Sequence, residues 1–142
     1  MSSRVDAILR DAATRIGSQT SCSVILRHAG GLTLVASSDE RSASCDEVEV
    51  SERGGPCVLA MDQLSGVLVP DLGADERWPT WRDRAVAVGF HSAAALPAYV
   101  GEGAVLALNL YSDLLDPWDG DALVRADVQV QEIAGLLADE QR

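Results

Sequence analysis

The sequence contains no lysine. All 11 of its basic residues are arginine, set against 22 acidic residues, for a formal net charge of −11. That absence excludes Schiff-base lysines, P-loop lysines and other lysine-dependent motifs. The acid excess disfavours direct binding to nucleic acid, which requires a basic stripe to neutralise phosphates. It disfavours docking on anionic membranes for the same reason. Cysteine is sparse and unpatterned. Cys22, Cys45 and Cys57 are odd in number and none stands in a C-x-x-C pair, which argues against a disulfide framework and against a metal site. One or two of them read as small buried hydrophobes. No apolar run approaches the roughly 20 residues needed to cross a bilayer. The N-terminal stretch MSSRVDAILRDAATRIG alternates charge with apolar residues and has no signal-peptide core. A cytoplasmic location is expected, and Met1 and the closing ADEQR read as natural ends. There is no internal repeat and no low-complexity linker.

What is present fits one domain spanning residues 1–142, because a domain usually takes about 100–200 residues. Hydrophobic residues make up 47% and charged residues 23%, an ordinary globular balance. Val5, Ile8, Leu9, Ala12 and Ile16 predict a helix over 3–16, with Ser3 and Asp6 as a capping box and Gly17 as its stop. CSVILRH and LTLVAS around Gly30-Gly31 predict a β-hairpin. Residues 37–55 are polar and acidic and read as a short helix or loop facing solvent, with Val48 and Val50 turned inward and the 44–52 charge run a solvated face. Pro56 opens a short helix. GVLVPD is a strand, a helix covers about 79–88 and closes at Gly89, and two more strands meet in a hairpin at Gly101-Glu102-Gly103. Asp71, Asp75 and Glu76 form an acidic loop too sparse for a calcium site, hence a solvated turn.

Asp116-Pro117 signals the start of a last, long helix. Its Leu123, Ala126, Val130, Ile133 and Leu137 step by three and four like a coiled-coil seam, with Val124, Val128 and Leu136 off it. A homodimer through the N- and C-terminal helices is the corresponding expectation. The element order predicts an α+β fold with a mostly antiparallel sheet of five or six strands. Both terminal helices should cover one face, leaving a pocket region on the other.

Strand alternation sorts the candidate site residues. Leu106, Leu108 and Leu110 share the helix-facing side of one strand; Ala107, Asn109 and Tyr111 look the other way. The matching set on the neighbouring strand is His91, Ala93, Ala95 and Pro97. The alanines leave room, and Asn109, Tyr111 and His91 supply polar tips. Trp78 and Trp81 either form an apolar lid or fill that space as core. An apolar cavity with a few convergent polar groups suits a small molecule. No nucleophile–base–orienter set is present: Ser92 follows His91, and strand neighbours point to opposite faces.

The segments GGPCVLAM, SGVLVPDLGADERWPTW, GFHSAAALP and VLALNLYS, in this order and spacing, resemble a GAF domain over roughly residues 5–139. GAF domains are small-molecule sensor modules related in architecture to PAS domains. The segments look most like the GAF modules of actinobacterial regulators that pair them with an RNA-binding antiterminator domain, which does not follow here. Asn109 matches the first residue of the pattern of cyclic-nucleotide-binding members, but their Lys and Phe are missing. Glu49 stands where related domains often carry Gln. One enzymatic branch, free methionine-(R)-sulfoxide reductase, needs convergent cysteines. Cys57 lies near one expected place, but residues 90–100 and the loop before them hold no second. Bilin attachment at Cys57 lacks the His-rich surroundings, and haem would rest on a lone His28 or His91. The resemblance therefore implies a non-catalytic sensory or regulatory domain. Its ligand, of unidentified chemistry, would touch Cys57, Trp78, Trp81, His91, Ala93, Ala95, Asn109 and Tyr111, without metal or known cofactor. The terminal helices would signal to a separate output protein. The alternatives are a ligand-free dimerisation scaffold with a filled pocket and a thiol-based sulfoxide reductase.

Overall fold

The computed structural model describes residues 3–17 and 19–140. Helix α1 (Ser3–Ile16) buries Val5, Leu9, Ala12 and Ile16, the predicted apolar stripe. Asp6 accepts the Ser37 backbone N–H at 3.1 Å and so ties this helix to the sheet. The side chain of Ser3, the other half of the expected capping box, lies outside the described residues. Strands β1 (Thr20–His28) and β2 (Gly31–Ser37) form the first hairpin. Its turn residues Ala29 and Gly30 have φ of 52° and 83°, the positive pair that matches strand twist in a tight hairpin.

The chain then makes α2 (Glu40–Glu52), α3 (Pro56–Gln63), β3 (Val67–Val69), a single 3₁₀ turn (Leu72–Ala74), α4 (Pro79–Ala87), β4 (Ser92–Gly101), β5 (Ala104–Ser112) and α5 (Gly120–Glu140). The five strands run β2-β1-β5-β4-β3, every neighbouring pair antiparallel. Leu106, Leu108 and Leu110 pack with α1 and α5 into one continuous apolar cluster. On the opposite face α2, α3 and α4 cover the sheet, and Ala93 and Ala95 sit beneath them.

Three expectations are corrected. The 44–52 segment is not a solvated face: α2 turns Cys45, Asp46 and Glu49 inward, and Val48 and Val50 pack half-buried against the core as expected. The last helix starts later than Asp116-Pro117. Asp116 has a φ of 42°, and Asp119 caps α5 by accepting the Ala122 N–H at 2.8 Å. The seam is not left free for a second chain either. Ala126, Val130, Ile133 and Leu137 belong to this chain's own core, whereas Val124 (63% exposed) and Val128 (51%) remain on the surface. In the acidic loop Asp71 and Glu76 are exposed, and Asp75 pairs with Arg77 at 2.6 Å.

Candidate functional site

Helix α2 builds the site by turning a polar stripe inward. Ser42, Cys45, Asp46 and Glu49 fall at i, i+3, i+4 and i+7, one face of a helix. Asp39 fixes the start of that helix by accepting the Ser42 N–H at 2.9 Å, and Ser21 on β1 donates to the same carboxylate at 2.5 Å. Opposite, Ser23 and Asn109 stand side by side in register on β1 and β5, with Ala95 on the far side of Asn109. The stripe therefore meets polar strand residues rather than an apolar floor.

Asp46 is wholly buried and accepts three hydrogen bonds: from Ser23 Oγ at 2.5 Å, Asn109 Nδ2 at 3.0 Å and Tyr111 OH at 2.8 Å. Glu49, 1% exposed, lies 3.4 Å from the same Tyr111 hydroxyl and accepts the Cys57 N–H at 3.0 Å, capping the first turn of α3. Trp81 Nε1 donates to Tyr111 OH at 3.1 Å. Burial disfavours the charged form of a carboxyl. It pushes Asp46 up to about 6 against the pull of its three donors. Burial, reinforced by the Asp46 charge, pushes Glu49 up to about 8. The two carboxyls titrate together, and burial keeps the pair protonated to higher pH than exposed carboxyls. Burial likewise raises the thiols of Cys45 and, well above its usual value, Cys57, and both feel the neighbouring carboxylates. Such thiols are protonated, the reverse of a reactive thiolate.

One polar atom of the cluster has no partner. Asn109 is 2% exposed, and among the described residues its Oδ1 accepts no hydrogen bond. A buried acceptor left unpaired costs about 1–3 kcal/mol. Beside the cluster, Glu52, Gly54, Arg77, Trp78 and Trp81 line a surface cleft of about 210 Å³. Trp78 and Trp81 meet edge to face, ring centroids 6.0 Å apart.

Of the sequence-predicted residues, the structure gathers Cys57, Trp81, Ala93, Ala95, Asn109 and Tyr111 on one buried face. The two tryptophans divide the roles expected of them. Trp81 is core, packed with Phe90 and Tyr111, while half-buried Trp78 walls the cleft. His91 is corrected: its side chain is exposed, and only its backbone joins the sheet. His28 is exposed as well, so neither histidine sits where an enclosed haem would need it. The room left by Ala93 and Ala95 is occupied by Trp81, Phe90, Met61 and Cys57. Ser23 and Asp46 were missed, and Glu49 was noted without a role. The i, i+3, i+4, i+7 stripe together with alternating Ser21 and Ser23 was the available signal. Among the described residues no three His, Cys, Asp or Glu side chains stand close enough to hold a metal ion. No helix among them is long and apolar enough to cross a membrane.

An antiparallel sheet with terminal helices on one face and a helix-covered polar cluster on the other defines an α+β domain of sensor-module architecture. The family model for the GAF domain matches residues 2–137, and the chain belongs to the GAF domain family. Among curated proteins no relative matches. Several solved structures share the fold at low identity. A type II free methionine-R-sulfoxide reductase from Thermoplasma acidophilum is 18% identical at a TM-score of 0.68, covering 96% of this chain and 89% of that one. A GAF domain/HD domain protein from Geobacter sulfurreducens is 15% identical at 0.65, covering 96% and 92%. GAF3 of a Synechocystis protein, in its photoproduct state, is 13% identical at 0.69, covering 96% and 95%.

Proposed function

We propose that this GAF domain is a non-catalytic sensor that binds a small organic ligand at the Asn109/Tyr111 face and signals through its terminal helices. The observation that carries the reading is the unpartnered Asn109 Oδ1, buried in a polar cluster beside a tryptophan-lined cleft. A dimerisation scaffold with a filled interior gives no reason to keep an unpaired acceptor there. The transmission path is one strand thick. On β5, Asn109 and Tyr111 face the cluster while Leu108 and Leu110 face α1 and α5. A ligand shifts that arrangement only by binding two helix positions unequally. The resemblance to actinobacterial antiterminator-type regulators supports a role in transcription control through a separate output protein. Sulfoxide reduction is disfavoured, because the thiols near the site are buried and protonated.

Native mass spectrometry of freshly purified protein, set against its denatured mass, tests the reading. The sensor reading expects an added mass that denaturation removes. A bare mass that stays bare after incubation with cell metabolite extract would favour the scaffold. Methionine sulfoxide turnover that Cys57→Ser abolishes would favour the reductase.

A further inference from the structure

The hydrogen-bond donors of the cluster point at its two carboxyl groups. Ser23, Asn109 Nδ2, Tyr111 and the Cys57 N–H are already committed to Asp46 and Glu49. Asn109 Oδ1 remains open in the same place. Among the described residues no donor reaches Asn109 Oδ1, and beside two carboxyl groups the complementary donor carries positive charge, which also favours their ionised form. Trp81 stands between the cluster and the cleft, so a ligand reaches the cluster only when this ring shifts. It lines the cleft and donates its Nε1–H to Tyr111 OH. Gly54 lines the cleft next to Gly55, which packs directly on the Glu49 carboxylate.

We propose, resting on the sensor reading, that the ligand is a compact organic cation whose primary ammonium is held by Asn109 Oδ1, Glu49 and Asp46. Its carbon frame lies against Trp78 and Trp81. Indole faces attract cations, and one face of Trp78 already carries the Arg77 guanidinium at 4.4 Å. Arg77 is paired with Asp75, so it does not neutralise the cluster. A carboxylate ligand would meet two carboxyl groups and an amide oxygen with no basic partner among them. Unpaired like charge of that kind is how a site rejects a competitor. A neutral alcohol would satisfy Asn109 Oδ1 but gain no charge pairing.

The test uses the full chain and three probes with one frame: n-butylammonium chloride, 1-butanol and sodium butyrate. Each is titrated into the millimolar range at constant ionic strength, with tryptophan fluorescence as the readout. The ammonium probe is expected to give a saturable change, with affinity at least about tenfold above the other two. The same change should weaken at least about tenfold in Glu49→Gln, which keeps the side-chain shape, and in Asn109→Leu. Circular dichroism melting confirms that each variant is folded, and Glu49→Gln alone suffices if Asn109→Leu is not. Ammonium binding that survives both substitutions overturns the proposal, because it lies elsewhere. Preferential binding of butyrate or butanol, lost in Trp78→Ala, overturns the cation class and leaves the sensor reading standing. Binding by none of the three also overturns it, and the native mass then judges the sensor reading on its own.

Discussion

Glu49 is an acid stored in the interior, and its burial has a thermodynamic sign. Its folded-state pKa is raised to about 8 from its ordinary value of 4.5, by burial first and by the Asp46 charge second. A raised carboxyl pKa means that the folded form holds its proton longer than the unfolded chain. Its contribution is complete below the unfolded value and is lost as pH climbs towards the folded one. Asp46, raised to about 6 from 3.8, acts in the same direction over a lower range. Stability is therefore expected to fall as pH rises from about 4 to about 8, with a slope of up to about 1.4 kcal/mol per pH unit per group. The groups facing Glu49 are Asp46 on α2, Tyr111 on β5 and Cys57 on α3. Burial raises both the Tyr111 hydroxyl and the Cys57 thiol well above their usual values, so neither competes in that window. Glu49→Gln preserves an acceptor for the Cys57 N–H and a donor towards Tyr111, without an ionising group. Urea melts across pH 5–9 should show the variant at least about 1 kcal/mol more stable than the parent at the alkaline end, with little difference at the acid end. A parallel pair of pH profiles would show that Glu49 does not carry the proton.

Gly55 is the second residue on which the site depends. Its φ is +141°, and a Cβ there would lie 2.2 Å from Glu49 Oε2. Gly55→Ala thus combines a strained backbone with a clash against a buried carboxylate. It is expected to cost roughly 2–4 kcal/mol, read as a lower urea midpoint at unchanged m-value. Gly54→Ala is the control. Its added Cβ meets only a backbone oxygen at 3.8 Å, and its midpoint should move much less.

At the scale of elements, regular periodicity was legible and polar burial was not. Both hairpins, the helix over 3–16 and the split of β5 into a leucine face and an Asn109/Tyr111 face follow from alternation that hydropathy displays. Helix α2 defeats that logic because its inward stripe is made of Ser42, Cys45, Asp46 and Glu49. Hydropathy sends Ser42, Asp46 and Glu49 to water; the hydrogen-bonding residues of β1 and β5 bring the two carboxyls in. The α5 seam failed for the opposite reason. Spacing by three and four records that a helix has a buried side, but not whether its own sheet or another chain buries it. That distinction changes the test of the homodimer. Truncation before Asp116 would strip Ala126, Val130, Ile133 and Leu137 from the core and report on folding instead. The paired substitution Val124→Asp, Val128→Asp changes only exposed positions four residues apart. If α5 contributes to a dimer contact, light scattering should find the pair monomeric while stability shifts by no more than about 1 kcal/mol. A dimer that survives this change uses some other surface.

For the whole molecule the question is whether the two faces of the sheet behave as one unit. The three thiols are placed to answer it: Cys22 lies in the helix-side cluster, donating to Leu9 O at 3.2 Å, while Cys45 and Cys57 lie in the two site-side clusters. All are buried, and burial raises all three pKa values. None should react with a thiol reagent until the fold opens around it. Regions open with free energies from near zero up to the global value, and the lower end belongs to those with fewer apolar contacts. The site side carries two buried carboxyl groups, an unpaired amide oxygen and an adjoining cleft; the helix side is a continuous apolar layer. In single-cysteine variants the labelling rates should therefore rank Cys45 and Cys57 above Cys22. A ligand that binds only the folded site raises the opening free energy by RT ln(1 + [L]/Kd). If the site layer opens by itself, saturating ligand should slow Cys45 and Cys57 far more than Cys22. Equal slowing of all three would mean that the layers open only together. In that case the helices feel the ligand solely through global stability, and transmission along β5 is lost as a distinct mechanism.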